Sequence, residues 1–279
     1  MAIVSISRGA NSKGRAVAQE VARRLGCRCL AREDVFKASN LTDVPERELI
    51  RALDEPPSFL ERLMGGRVQY ITTARAALLS QLTDDTVVYH GFAGHYFLKD
   101  VVHALKVRIL AELSDRVAEV VARDGISRAE AREQLLKKDE ARRQWALRVY
   151  GVDPEDPSLY DIVLHVGKMG SDDVAQTICA LAGDKAFQVT PASRSELSDM
   201  ALAAAVEIVL LEMEIDLGSA DIKVHAGDVV VHLRESRRTR AGSNSEFRKH
   251  YVESLRHRLH DRTRLIPGLK AVHLEHAVD

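Results

Sequence analysis

Three cations, two glycines and several small polar residues are gathered between Ser7 and Arg15, in the order Ser7-Arg8-Gly9-Ala10-Asn11-Ser12-Lys13-Gly14-Arg15. Before them stands the apolar run Ile3-Val4-Ser5-Ile6, and after them an alternation of apolar and charged residues that closes at Leu25-Gly26. A short strand that enters a helix through a loop of small residues brings backbone N–H groups and the positive end of the helix to bear on one point, which suits a phosphate. The side chains depart from the Gly-x-x-x-x-Gly-Lys-[Ser/Thr] pattern of phosphate-binding loops. Lys13 precedes Gly14 instead of following it, and Arg15-Ala16 occupy the places of the lysine and the hydroxyl residue. The alternative is a strand–loop–helix corner with surface charges.

A second set of cations lies at Arg116, Arg123, Arg128, Arg132, Lys137, Lys138, Arg142, Arg143 and Arg148. On a helix Lys138 and Arg142 are four residues apart, as are Asp139 and Arg143, so two neighbouring faces carry them. Such a stretch can close over phosphate groups. It can equally be a solvated helix in which Glu130, Glu133 and Glu140 pair with the arginines.

These residues belong to a chain of 279 residues with 40 Lys plus Arg and 41 Asp plus Glu. Near-neutrality argues against a mainly electrostatic nucleic-acid binder, and no specific nucleic acid is expected. No run approaches the roughly 18 apolar residues of a membrane span, and the first residues lack the basic, apolar and cleavage regions of a signal peptide. Cys27, Cys29 and Cys179 are too few for a disulfide framework and fit a reducing cytoplasm. Cys27-x-Cys29 reads as small apolar residues at the start of a strand, with a soft metal clamp as the weaker alternative, because further ligands at fixed spacing are missing. The same lack leaves the C-terminal histidines, such as His257, His260, His273 and His276, without an expected metal.

Val17, Val21 and Leu25 mark a helix with one buried face. A strand over Cys27–Leu30 and a helix over Glu33–Ala38 follow, then a polar stretch, 42–66, expected to be mobile over the site. A helix over Val68–Leu82 precedes buried strands at Thr86–His90, Lys106–Ala111 and Asp161–Val166. Strands alternating with helices predict an α/β fold with a mainly parallel sheet. Composition changes after Asp184. Phe187–Arg194 reads as a strand and linker, Ser195–Met213 as a helix, Asp221–Leu233 as a hairpin turning at Gly227-Asp228, Glu246–Arg262 as a basic helix and Ile266–Leu274 as a last strand. The expected domains are 1–185 (α/β) and 195–279 (a small α+β domain).

With these segments placed, residues 1–182 resemble the cytidylate kinase-like family of P-loop nucleoside-monophosphate kinases. Four blocks carry the resemblance: Ile6-Ser7-Arg8 through Ser12-x-Gly14-Arg15 to Leu25-Gly26; Arg32-Glu33, where the family often has Tyr-Asp-Arg-Glu; Val87 to Leu98, similar to a strand leading into Gly-Arg-Gly; and Arg116 through Asp139-Glu140-Ala141-Arg142-Arg143 to Tyr150 and Leu159-Tyr160-Asp161. The C-terminal part resembles a BON-type domain through its helix, strand pair, second helix and Ile266-Pro267-Gly268-Leu269-Lys270-Ala271-Val272.

The resemblance implies a P-loop kinase-like parallel sheet flanked by helices, with ATP and Mg2+ as cofactors and a nucleotide or small phosphorylated acceptor as partner. Ser7, Arg8, Gly9, Asn11, Ser12, Lys13, Gly14 and Arg15 would hold the donor phosphates, with Arg15 replacing the lysine, and Arg116 would join them. Arg142 matches the lid arginine, with Arg143 beside it and Asp139 positioning it. Three departures touch ligand surfaces. Asn11 and Lys13 replace glycines of the loop and crowd close approach to its backbone; Ala31 stands where an acceptor-side Asp is usual; and Phe92 stands where an arginine follows Gly91. The acceptor therefore need not be CMP, and no carboxylate presents itself for magnesium. The alternative is a nucleotide sensor or scaffold whose C-terminal domain, basic from Arg234 to Arg264, binds a protein partner or an anionic membrane surface.

Overall fold

Ile3, Val4 and Ile6 are fully buried and the intervening Ser5 and Ser7 are nearly so, as a strand covered on both faces requires. They form β1 (Ile3–Arg8) at the centre of a five-stranded sheet that also contains β2 (Arg28–Ala31), β3 (Val87–His90), β4 (Ala104–Ala111) and β5 (Ile162–Val166), in the order β2-β3-β1-β4-β5. All four pairings are parallel. This computed structural model describes residues 2–38, 66–83, 86–91, 93–234 and 245–276. Residues 42–65 of the stretch expected over the site, Phe92, and 235–244 of the basic run lie outside the described residues. Among those described, no helix is long and apolar enough to cross a membrane.

Helix α1 (Gly14–Leu25) buries Val17, Ala18, Val21 and Ala22 and ends at Gly26, whose left-handed backbone (φ 62°) returns an N–H to the last turn. Its buried face joins a core formed with the sheet and with Val174, Ala175 and Ile178 of a later helix, Ser171–Ala182. Arg24 bonds both Glu20 of its own helix and Asp172 of that later helix. The helix that receives the loop is therefore fixed by apolar packing beneath and a charge clamp at its far end.

On the way to that later helix the chain forms α2 (Arg32–Ala38), α3 (Arg67–Ser80), α4 (Gly94–Phe97), α5 (Leu113–Asp124) and α6 (Arg128–Tyr150); the helix at Ser171–Ala182 is α7. The hairpin of α5 and α6 turns at Gly125 (φ 70°) and restarts at Ser127, which exchanges hydrogen bonds with Glu130 at 3.2 and 2.9 Å. α4 approaches the sheet so closely that a Cβ on Gly94 would lie 2.4 Å from Ser5 Oγ and 2.6 Å from the Tyr89 ring.

The chain divides into two compact units, residues 1–71 with 84–193 and residues 72–83 with 194–279. In the second, α8 (Pro191–Glu212) precedes β6 (Ala220–His225), β7 (Asp228–Leu233), α9 (Ser245–Thr263) and β8 (Ala271–His276). β6 pairs with β7 antiparallel and β7 with β8 parallel. Its core sets Val206, Leu210 and Met213 of α8 and Leu255 and Leu259 of α9 against Val229, Val231 and Leu274. An Arg75–Glu207 ion pair ties residues 72–83 into this unit.

Three local expectations are corrected. Phe187–Arg194 is no strand: Lys185–Phe187 is a single helical turn and α8 starts at Pro191. Thr190 and Ser193 exchange hydrogen bonds at 3.0 and 3.1 Å across the start of that helix, and proline is well suited to its first position. The hairpin turns at Ala226-Gly227, one residue early, because both take positive φ (50° and 91°) and Asp199 accepts from both N–H groups. The last strand begins at Ala271 instead of Ile266, after a turn through Gly268.

Gly94→Ala is expected to cost about 1–3 kcal/mol through overpacking of a site that cannot yield. A urea midpoint equal to that of the unchanged protein would show that α4 can back away.

Candidate functional site

The carboxyl ends of parallel strands open onto a common crevice, where α/β sheets bind ligands. Here Arg8 ends β1, His90 ends β3, and Arg32 and Glu33 start the helix after β2. These four side chains, with Ala10, Asn11 and Gly91, line one side of a cleft of about 270 Å³. Arg123 from the end of α5 and Lys138 and Arg142 from α6 complete the lining. Five cationic side chains thus face one carboxylate, Glu33, and an imidazole. Burial and the adjacent Arg8 push His90 down to about 4, so its ring is neutral at pH 7 and the cleft's positive charge resides on guanidinium and ammonium groups.

The loop itself is held at Ala10. Its N–H donates to Asp139 Oδ1 at 3.2 Å, and its carbonyl accepts from Arg116 Nε at 2.7 Å. Arg116 closes the triangle on Asp139 Oδ2 at 2.5 Å. The Ala10 methyl is buried with Val117, Val120, Ala131 and Leu135 of α5 and α6. Ser12 turns its hydroxyl back to the Gly9 carbonyl at 3.1 Å. Asn11 and Lys13, expected to crowd the backbone in place of glycine, take the left-handed conformation that glycine would supply, with φ of 53° and 60°. Asparagine visits this region readily and lysine at a cost. Gly14 is required by space: a Cβ there would lie 2.7 Å from Arg8 Cβ.

The expected residues separate accordingly. Arg8, Asn11 and Arg142 line the cleft. Gly9, Ser12, Lys13 and Gly14 shape the loop. Ser7 is buried beneath it, its Oγ 3.4 Å from the Tyr160 hydroxyl, which donates to the Pro154 carbonyl at 2.9 Å. Arg116 binds loop and lid helix rather than facing the cleft. Asp139, expected to orient Arg142, has its two oxygens on Ala10 and Arg116. Arg143 turns to Asp153, with Nε and Nη2 at 2.9 and 2.8 Å from Oδ2, and holds that carboxyl below its usual range. Arg15 is exposed on the first turn of α1 and does not line the cleft. Arg32, Glu33 and His90 were not among the expected site residues. Their signal is positional, since each sits at the carboxyl end of a strand or within two residues after it.

Magnesium finds few ligands among these groups. Ala16 offers no side-chain oxygen, Ser12 and Asp139 are hydrogen-bonded within the loop and lid, and among the described residues no three His, Cys, Asp or Glu side chains gather as a metal site. Among the described residues, those at the cleft do not fit a magnesium ion held by the protein. Positive charge here comes from Arg8, Arg32, Arg123, Lys138 and Arg142.

The family model described as the cytidylate kinase-like family matches residues 3–168. The chain belongs to that family. The cytidylate kinase of Ignicoccus hospitalis is 29% identical over 182 residues, which cover 64% of this chain and 97% of that protein. The cytidylate kinase of Thermococcus sibiricus is 31% identical over 118 residues, covering 40% of this chain and 60% of that protein. For this and two other curated cytidylate kinases, the chain spans only 53–60% of their length. In fold, it is similar to a solved structure of an uncharacterized protein from Eubacterium ventriosum, with a TM-score of 0.51 at 20% identity over 65% of this chain and 97% of the other. The family member thus carries a kinase-like nucleotide-binding fold whose loop has lost the usual lysine and hydroxyl while a cationic cleft remains beside it.

Asp139→Ala is expected to lower the unfolding free energy by about 2–3 kcal/mol, because it strands a largely buried arginine and a loop N–H. An unchanged denaturation midpoint would show that the loop does not depend on the triangle. His90, with His95, gives a second prediction. Burial lowers both from 6.5 to about 4 in the folded chain, so the unfolded chain takes up protons first on acidification. Stability is full above pH 6.5 and falls between pH 6.5 and 4, by up to about 1.4 kcal/mol per pH unit for each histidine. Replacing both with residues that do not titrate should flatten that slope in denaturation curves; an unaltered slope would place the titration elsewhere.

Proposed function

We propose that the chain is a phosphotransferase that binds ATP on residues 7–15 and moves its γ-phosphate to a nucleoside monophosphate or a related small phosphorylated acceptor. The observation that carries this reading is the set of five cations converging on one cleft at the strand ends, beside a loop built for phosphate. Phosphoryl transfer asks little covalent chemistry of a protein; it needs in-line positioning and positive charge on oxygens that become more negative in the transition state. In this proposal Arg8 and Arg32 meet one phosphate from the sheet side, while Lys138 and Arg142 approach from α6 and exclude water as the lid helices settle. Arg123 contributes less, since its guanidinium is already bonded to Asp124 at 2.7 Å. Arg116 and Asp139 act as positioning residues through Ala10. Family membership favours a nucleotide as donor, and the altered residues at 31 and 92 leave the acceptor open beyond CMP.

The domains in this reading are 1–185 for nucleotide, apart from residues 72–83, which pack with the second unit, and 195–279 for output. The order α8-β6-β7-α9-β8 is what the BON-type resemblance would require. Arg256, Arg258 and Arg262 on α9 are exposed, and a protein partner or an anionic membrane surface is proposed for that unit. Liposome sedimentation that weakens with salt would select the membrane.

The decisive experiment is calorimetric titration with ATP–Mg and then CMP, with product formation followed in the same samples. Binding with transfer supports the proposal, and Arg142→Ala is then expected to slow transfer about 10–100-fold without unfolding the chain. Unchanged turnover in that variant would remove the lid role of Arg142. Binding without transfer to any phosphorylated acceptor would favour the nucleotide sensor, and absence of binding would leave the fold as a scaffold.

A further inference from the structure

His90 ends β3 and borders the cationic cleft, yet its side chain is only 5% exposed and its Nδ1 is buried without a hydrogen-bond partner. A buried polar nitrogen left unpaired carries a desolvation cost, and native structures retain such groups where something else completes them. The surroundings say what kind of group that is. Arg8, Arg32 and Arg142 line the same cleft, and guanidinium groups take phosphate oxygens through paired, charge-assisted bonds. An uncharged imidazole cannot compete with them for a phosphate. It has one donor and one acceptor nitrogen, and a hydroxyl, itself both donor and acceptor, matches either tautomer. The neighbouring Glu33 is a further acceptor on the same wall.

We propose that His90 hydrogen-bonds a hydroxyl of the ligand whose phosphate is held by Arg8, Arg32 and Arg142, so that the cleft selects phosphorylated polyols, such as ribose phosphates, over phosphate alone. This inference rests on the phosphate reading of the cleft. It makes His90 a specificity-determining residue: a ligand without the hydroxyl leaves the imidazole unpaired and forfeits that bond.

The test uses the full chain with 15N-labelled histidine, titrated with inorganic phosphate and, separately, with ribose 5-phosphate. Ribose 5-phosphate is expected to bind at least about tenfold more tightly than inorganic phosphate and, at saturation, to move a ring-nitrogen resonance of His90 further than inorganic phosphate does. His90→Phe should remove that tenfold preference of ribose 5-phosphate over inorganic phosphate, while His90→Gln, which keeps a donor and an acceptor, should retain part of it. If the buried site does not tolerate phenylalanine, the resonances of the unsubstituted protein still decide the matter. Equal affinity for the two probes, or equal movement of the His90 nitrogens by both, would overturn the inference and leave the phosphate site standing. Failure of inorganic phosphate to bind at all would remove both.

Discussion

The site depends on how one alanine is held. Ala10 gives its N–H to Asp139 and its carbonyl to Arg116, and its methyl is buried between α5 and α6. A loop between a strand and a helix would otherwise be free to take many shapes, at an entropic cost on every binding event. Here that cost is met on folding. The same carboxylate of α6, Asp139, neutralises Arg116 and satisfies a loop donor. One backbone N–H is consequently engaged internally, so the loop offers a phosphate fewer donors than a glycine-rich loop of the same length.

What the loop lacks is found on its neighbours. Arg15 follows Gly14 but stands exposed on the first turn of α1, away from the cleft lining. Charge enters instead from β1 through Arg8, from the start of α2 through Arg32, and from α6 through Lys138 and Arg142. Gly14 makes part of this workable, because only a residue without Cβ lets the Arg8 side chain cross the start of α1. The near-neutral composition hides the result. Across the chain the charges almost cancel, but the cleft gathers cations from four separate elements, and of these Arg123 is bonded to Asp124, while Asp153 is held outside the lining by Arg143.

Burial sets the chemistry of the same cleft from its other side. His90 is neutral because it is removed from water beside a guanidinium. Between pH 6.5 and about 4, where an exposed histidine gains charge, this one stays neutral, so it adds no cation to the guanidinium and ammonium groups of the cleft. His95, buried next to the ring of Tyr160 at 4.8 Å, shares this neutrality without lining the cleft.

The sequence by itself determined the parallel α/β architecture, the loop at 7–15 and the cationic stretch from Arg116 to Arg148, because strand runs, amphipathic spacing and small-residue loops are local patterns that survive in one dimension. The family resemblance of the first unit was legible for the same reason: its four blocks are contiguous. Capping and turn geometry were only partly legible. The start of α8 at Pro191 depends on a reciprocal Thr190–Ser193 exchange, and the hairpin turn at Ala226-Gly227 on Asp199, a residue 27 positions away from Ala226. Only the tertiary structure decided the roles of the charges. Asp139 and Arg143 are four residues apart on one helix, yet they reach Ala10 and Asp153, and His90 gains its character from burial and then from Arg8. A side chain's pairing and ionisation are fixed by what folding brings within a few ångströms of it, and spacing along the chain carries no record of that.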